Sequence, residues 1–125
     1  MSIKKIHIKV TNIPPHKDIS FSIRNPKHPA HQRFLNLRIA AKKAMGEISY
    51  HKGPVEINFH YVRKNGNKPL WNYLSGICDT LGGSHGFTFH WNPIVFLDDC
   101  QVTKIRMTQE YSKTKDKYFL EVKFL

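Results

Sequence analysis

The apolar residues of this chain change period four times along its length, and that switching limits the folds open to it more than any other feature. Ile6, Ile8 and Val10 alternate with His7 and Lys9, the period of a half-buried strand. Over residues 31–49 the spacing becomes three and four, through Phe34, Leu37, Ala41, Ala44, Met45 and Ile48, which predicts a helix. Val55, Ile57, Phe59 and Tyr61 then alternate with Glu56, Asn58 and His60, a second strand. Pro69 suits a first helical position. Leu70, Leu74, Ile77, Cys78 and Leu81 follow it on one helical face, and Gly82-Gly83 stop that helix. Ile94-Val95-Phe96-Leu97 reads as a short buried strand. Residues 102–111 and 117–125 read as two more strands joined by SKTKD, a C-terminal β-hairpin. Four prolines in TNIPPHKDISFSIRNPKHPA exclude a long helix there and predict an irregular arm. The expectation is α+β: residues 1–125 as a single domain, a mixed β-sheet with two main helices packed on it. A chain of 125 residues supports one such core and not two.

Charge narrows the partner. Lys and Arg number 20 against 9 Asp and Glu, a formal net charge of +11. Such an excess repels itself in a compact state and suits a polyanion, with nucleic acid first and an anionic membrane surface second. No segment is long and apolar enough to span a membrane. MSIKKIHIKV alternates too regularly for a signal peptide, and Cys78 and Cys100 form no CxxC motif, so reduced cysteines in a cytoplasmic protein are expected. Three basic segments stand out. Arg24 and Lys27 lie in the arm. Arg33, Arg38, Lys42 and Lys43 lie on the first helix, and Arg63, Lys64 and Lys68 precede the second. Together they predict a phosphate-tracking surface, with recognition of backbone and shape rather than base stacking.

Against this background the adjacent acids Asp98 and Asp99, in FLDDCQV, stand out. Mg²⁺ takes one or two protein carboxylates plus phosphate and water. Regular strand geometry would point the two side chains to opposite faces, leaving one as the ligand. On spacing alone the alternative, a solvated turn between two strands, is the better reading. His28 and His31 are separated by Pro29, and His85 and His90 have no third ligand at zinc spacing. Ser84-His85 in GGSHG matches neither a nucleophile elbow nor a phosphate-binding loop.

The ordered set of motifs resembles the RusA family of Holliday junction resolvases. The matching stretches run from Ile6 to Pro15 (loosely), then PVEINFHYVRK, NYLSGICDTL with its N-x(6)-D-x-L spacing, and LDDCQV. The resemblance implies a RusA-like fold, a homodimer, Mg²⁺-dependent endonuclease chemistry on four-way DNA junctions, and roles in DNA recombination and repair. It implies that Asp99, with Asp98 beside it, belongs to the metal site. Arg24, Lys27, Arg33, Arg63, Lys64, Lys68 and Asn72 are the expected DNA-binding residues. The family opens its second helix with two aspartates and a lysine that fall here on Pro69, Trp71 and Ser75. The expectation is therefore a protein that binds branched DNA through a basic groove with an incomplete nuclease site. Two alternatives stay open: an active endonuclease with ligands from elsewhere in the chain (Glu56, His60 or His90) or from a partner subunit, and an RNA- or protein-binding module on the same fold.

Overall fold

The computed structural model describes residues 4–18, 21–83 and 92–125. The readings placed on Ser84, His85 and His90 lie outside the described residues. The elements run β1 (Lys5–Val10), α1 (His31–Met45), β2 (Val55–Arg63), α2 (Leu70–Leu81), a 3-10 turn (Asp99–Gln101), β3 (Val102–Tyr111) and β4 (Lys117–Phe124). They form one four-stranded sheet in the order β1-β4-β2-β3. The β1–β4 and β4–β2 pairs are antiparallel and β2–β3 is parallel. The chain is thus α+β, with a mixed sheet and two helices.

The alternating residues of three strands account for the core. Ile6, Ile8 and Val10 of β1, Ile57, Phe59 and Tyr61 of β2, and Tyr118, Leu120 and Val122 of β4 share one face. Leu37, Ala41 and Met45 of α1 and Tyr73, Leu74, Ile77 and Leu81 of α2 close over it. Removing these side chains from water is the main favourable term in forming this layer. Gly76 lets α2 lie against the arm, because a Cβ there would sit 2.3 Å from the Pro15 carbonyl oxygen.

Four expectations change. Residues 94–97 form no strand, although Ile94, Val95 and Phe96 are buried. Their backbone bonds go elsewhere: Ile94 N and Val95 N donate to Leu81 O, and Val95 O accepts from His51 N. Burial without alternation cannot tell a ladder from a plug. The C-terminal hairpin is also absent, because β2 lies between β3 and β4. β2 is buried on most of both faces and takes both as partners. The connecting residues 112–116 need only step over one strand, about 10 Å, and Ser112 N donates to Arg63 O on the way. α1 ends at Met45 rather than near Ser49, since Gly46 has φ 60° and ψ −122°, a conformation that favours glycine. Arg38, expected on the surface of α1, is 5% exposed and donates to Thr80 O and Asn92 O.

Candidate functional site

Asp98 and Asp99 occupy neither a strand nor a loose turn. Asp98 caps the 3-10 turn, its Oδ1 accepting from Cys100 N at 3.0 Å. Gln101 clamps the same turn from behind. Its Oε1 accepts from Leu97 N (2.8 Å) and Asp98 N (2.9 Å). Its Nε2 donates to His51 O (2.8 Å) and Gly53 O (2.7 Å). The DDCQ sequence therefore builds a fixed corner that holds two adjacent carboxylates at the start of β3.

These carboxylates face each other. Ligand atoms of Asp98, Asp99 and Cys100 lie within 4.8 Å of one another. Asp99 is held above the ordinary carboxylate range, first by its hydrogen bond with Asp98, then by burial and by the charges of Asp98 and Asp79; Lys17 opposes the shift. Asp79, on the last turn of α2, thus joins the corner electrostatically. Lys17 Nζ stands 4.0 Å from Asp79 Oδ2. The buried Cys78 thiol next to Asp79 is pushed up to about 12 by burial, then by Asp79 and Asp99.

Five acids elsewhere in the chain show how unusual this grouping is. Asp18 accepts from His16 and His28, Glu56 meets Lys104 and Lys123, and Glu110 meets His60. Asp116 accepts from Tyr61 and the 64–66 backbone, and Glu121 meets Asn58, Lys5, His7 and Lys123. All of these partners are donors, whereas the strongest influence on Asp99 is its hydrogen bond with a second carboxylate, Asp98. Glu56 and His60, weighed above as replacement ligands, have partners of their own: Lys104 and Lys123 for Glu56, and Thr108 and Glu110 for His60.

The basic residues divide between two uses. Arg24 donates to Asp79 O (2.7 Å) and Gly83 O (3.5 Å), fastening the arm to the end of α2. Arg63 is buried, donates to Gln109 Oε1, Gly66 O and Lys68 O at 2.8 Å each, and lies against the Tyr61, Tyr73 and Tyr111 rings. Asn72 binds the backbone of Lys17. Lys27 and Lys64 are exposed, and Arg33 and Lys68 are half-buried, both near enough to His16 for their charges to lower its pKa. The structure therefore brings Asn72 and Arg24 to the corner through Lys17 and Asp79. Arg63 is kept for packing.

Lys17 and Asp79 are the site residues that sequence reasoning missed. Asp79 had a signal: seven residues after Asn72, it shares that helical face. Lys17 had none, since its place depends on the course of a proline-rich arm.

A second cluster, His16, Asp18 and His28, brings ligand atoms within 4.8 Å. His28 Nδ1 accepts from Ala30 N (2.9 Å), so the ring proton sits on Nε2, which donates to Asp18 Oδ2 at 2.5 Å. His16 Nε2 lies 3.1 Å from the same oxygen. Asp18 is accordingly held below the ordinary carboxylate range, first by the His28 hydrogen bond, and burial keeps His16 below its own. These bonds fix the arm and use both ring nitrogens of His28, while His16 Nδ1 is buried without a hydrogen-bond partner. His31, by contrast, bonds Ile23 O.

No helix among the described residues is long and apolar enough to cross a membrane. No family model and no curated protein matches the chain.

Proposed function

We propose that this chain is a DNA-binding protein of the RusA-like kind, acting in the cytoplasm as a homodimer on branched DNA, with the Asp79–Asp98–Asp99 corner as its point for a divalent cation. The observation that carries the reading is the close grouping of the Asp98 and Asp99 carboxylates on a fixed corner, in a chain of net charge +11. Carboxylates this close repel one another when they are charged, and a bound cation relieves that repulsion. The donor set fits Mg²⁺, being hard carboxylate oxygens at an exposed corner. Bound there, Mg²⁺ neutralises charge on a phosphate and lowers the pKa of a coordinated water. Asp98 and Asp99 would hold the ion and Asp79 would complete its charge balance. Lys17, positioned by Asn72, offers an ammonium to a phosphate oxygen. The remaining basic surface tracks the backbone.

A second reading, cleavage of the DNA, is favoured by Asp79 and Lys17. They supply a carboxylate and a lysine where Pro69, Trp71 and Ser75 lack the family's charged groups. A labelled four-way junction, scored for gel shift and for cleavage with Mg²⁺ or Mn²⁺, separates the readings. Binding should weaken by roughly a hundredfold or more from low to physiological salt as counterions are released. Affinity that is absent or flat with salt overturns the DNA reading. A shift without cut product supports binding alone.

A further inference from the structure

The two edges of the sheet are built differently. β1 is six residues long, and two of its exposed side chains, Lys5 and Lys9, are lysines. A second copy laid against it would be repelled, which is how natural edges avoid pairing. β3 is ten residues long, and residues 103–111 are exposed on both faces. Its helix-side residues continue the core rows of β2, with Ile105 beside Ile57, Met107 beside Phe59 and Tyr111 beside Arg63. Neither helix covers them: Ile105 is 47% exposed, Met107 38% and Tyr111 80%. An unblunted edge of this length, with apolar residues left open, is a template for another strand.

The charges on β3 indicate which strand. Lys104 and Glu110 lie on the helix-free face, three residues either side of Met107. Pair β3 with a copy of itself, antiparallel and with the two-fold axis at Met107. Lys104 then meets Glu110 of the second copy twice over, Met107 meets Met107, and Ile105 meets Gln109. This register keeps residues 103–111 in the ladder. Of the two neighbouring registers, the one centred on Thr108 also pairs opposite charges but retains only residues 105–111, and the one centred on Arg106 sets Arg106 against itself and leaves Lys104 opposite Thr108. We propose that a second copy of this chain pairs along β3 about Met107, making a continuous eight-stranded sheet. The proposal deepens the dimer of the preceding reading and rests on it for its purpose, not for its geometry. The two β3 strands begin about 33 Å apart, so the carboxylate corners sit at opposite ends of the joint strand pair.

The test is oligomeric state without DNA, by light scattering at micromolar concentration. Wild-type protein should be a dimer. Lys104→Glu and Glu110→Lys each create two like-charge pairs across the interface and should raise the dimer dissociation constant about tenfold or more; within the chain, Lys104→Glu also gives up its ion pair with Glu56 and Glu110→Lys its contact with His60. The double variant Lys104→Glu/Glu110→Lys restores both pairs and should return it to the wild-type range. Circular dichroism checks that each variant is folded. Independently, Met107→Cys in a Cys100→Ser background should form a disulfide-linked dimer on mild oxidation, whereas Ile105→Cys and Thr108→Cys should not. A monomeric wild type, no rescue by the charge swap, or cross-linking through Thr108→Cys in place of Met107→Cys overturns the proposal. A dimer that ignores junction DNA overturns the DNA reading and leaves this interface standing. Junction binding by a monomer does the reverse.

Discussion

Asn72 holds Lys17 by both of its backbone groups: Oδ1 accepts from Lys17 N at 3.2 Å and Nδ2 donates to Lys17 O at 3.0 Å. One amide side chain thus substitutes for a strand partner and pins the arm to the first turn of α2. The lysine so fixed places its ammonium beside Asp79. Asn72→Ala should lower stability by about 1–2 kcal/mol, since two hydrogen bonds are lost. The Asp99 carboxyl should rise further, because Lys17 is the charge that opposes its shift. Thermal melting checks the first outcome and carboxyl NMR titration the second. Asn72→Asp keeps the acceptor and loses the donor, so it should fall between wild type and alanine in melting temperature.

Gln101 is the residue on which the corner's geometry depends. It makes four hydrogen bonds, two as acceptor and two as donor, linking the Asp98 turn to the 51–53 backbone. Gln101→Glu can still accept but cannot donate to His51 O and Gly53 O. It should cost more than Gln101→Ala, because it also adds a charge beside Asp98. The expected loss for alanine is roughly 2–3 kcal/mol, measured as a shift in urea midpoint at constant slope.

Asp116 sets much of the acid sensitivity. Its Oδ1 accepts from Tyr61 OH (2.5 Å) and from the N–H groups of Lys64 (2.8 Å), Asn65 (3.1 Å) and Gly66 (3.3 Å). Burial alone would raise its pKa, but these donors outweigh burial and hold it below the ordinary carboxylate value. A depressed carboxyl contributes stability above its unfolded pKa, and that stability is lost as pH falls through the folded value. Unfolding free energy should therefore drop below about pH 4. Asp116→Asn should be less stable at pH 7 and should flatten part of the slope. Asp18, Glu56 and Glu121, also depressed, supply the rest. An unchanged pH slope in the variant would contradict this account.

The elements with a clear period were legible in the sequence: Ile6 to Val10, Val55 to Tyr61, and the α2 face through Leu74, Ile77 and Leu81 stand where their spacing put them. Topology was not. SKTKD between two strands reads as a hairpin, and nothing local records that β2 takes the place between them. Arg38 and Arg63 read as surface charge because composition counts charges without seeing carbonyl oxygens arranged to receive them. At the corner, Asp98 and Asp99 were visible as a pair. The clamp by Gln101 and the approach of Lys17 were not, since both depend on backbone far away in sequence.

The stripe on α2 decides where a further carboxylate would act. Trp71, Ser75 and Asp79 are spaced by four, so they lie along one side of the helix, and Ser75 Oγ donates to Trp71 O. Each step of four rises about 6 Å. Asp99 acts on Cys78 and is acted on by Asp79, which puts it level with the last turn of α2. A carboxylate at position 75 would stand about 6 Å from Asp79 along the axis, and one at position 71 about 12 Å. Trp71 is 66% exposed, so replacing it removes little packing. Ser75→Asp should therefore tighten Mg²⁺ binding, whereas Trp71→Asp or Pro69→Asp should leave it within about twofold, because a shared ion needs oxygens at 2.0–2.1 Å. Isothermal titration with Mg²⁺ against Asp99→Asn as the blank measures both. A larger gain from Trp71→Asp than from Ser75→Asp would move the cation toward the start of α2 and away from Asp79.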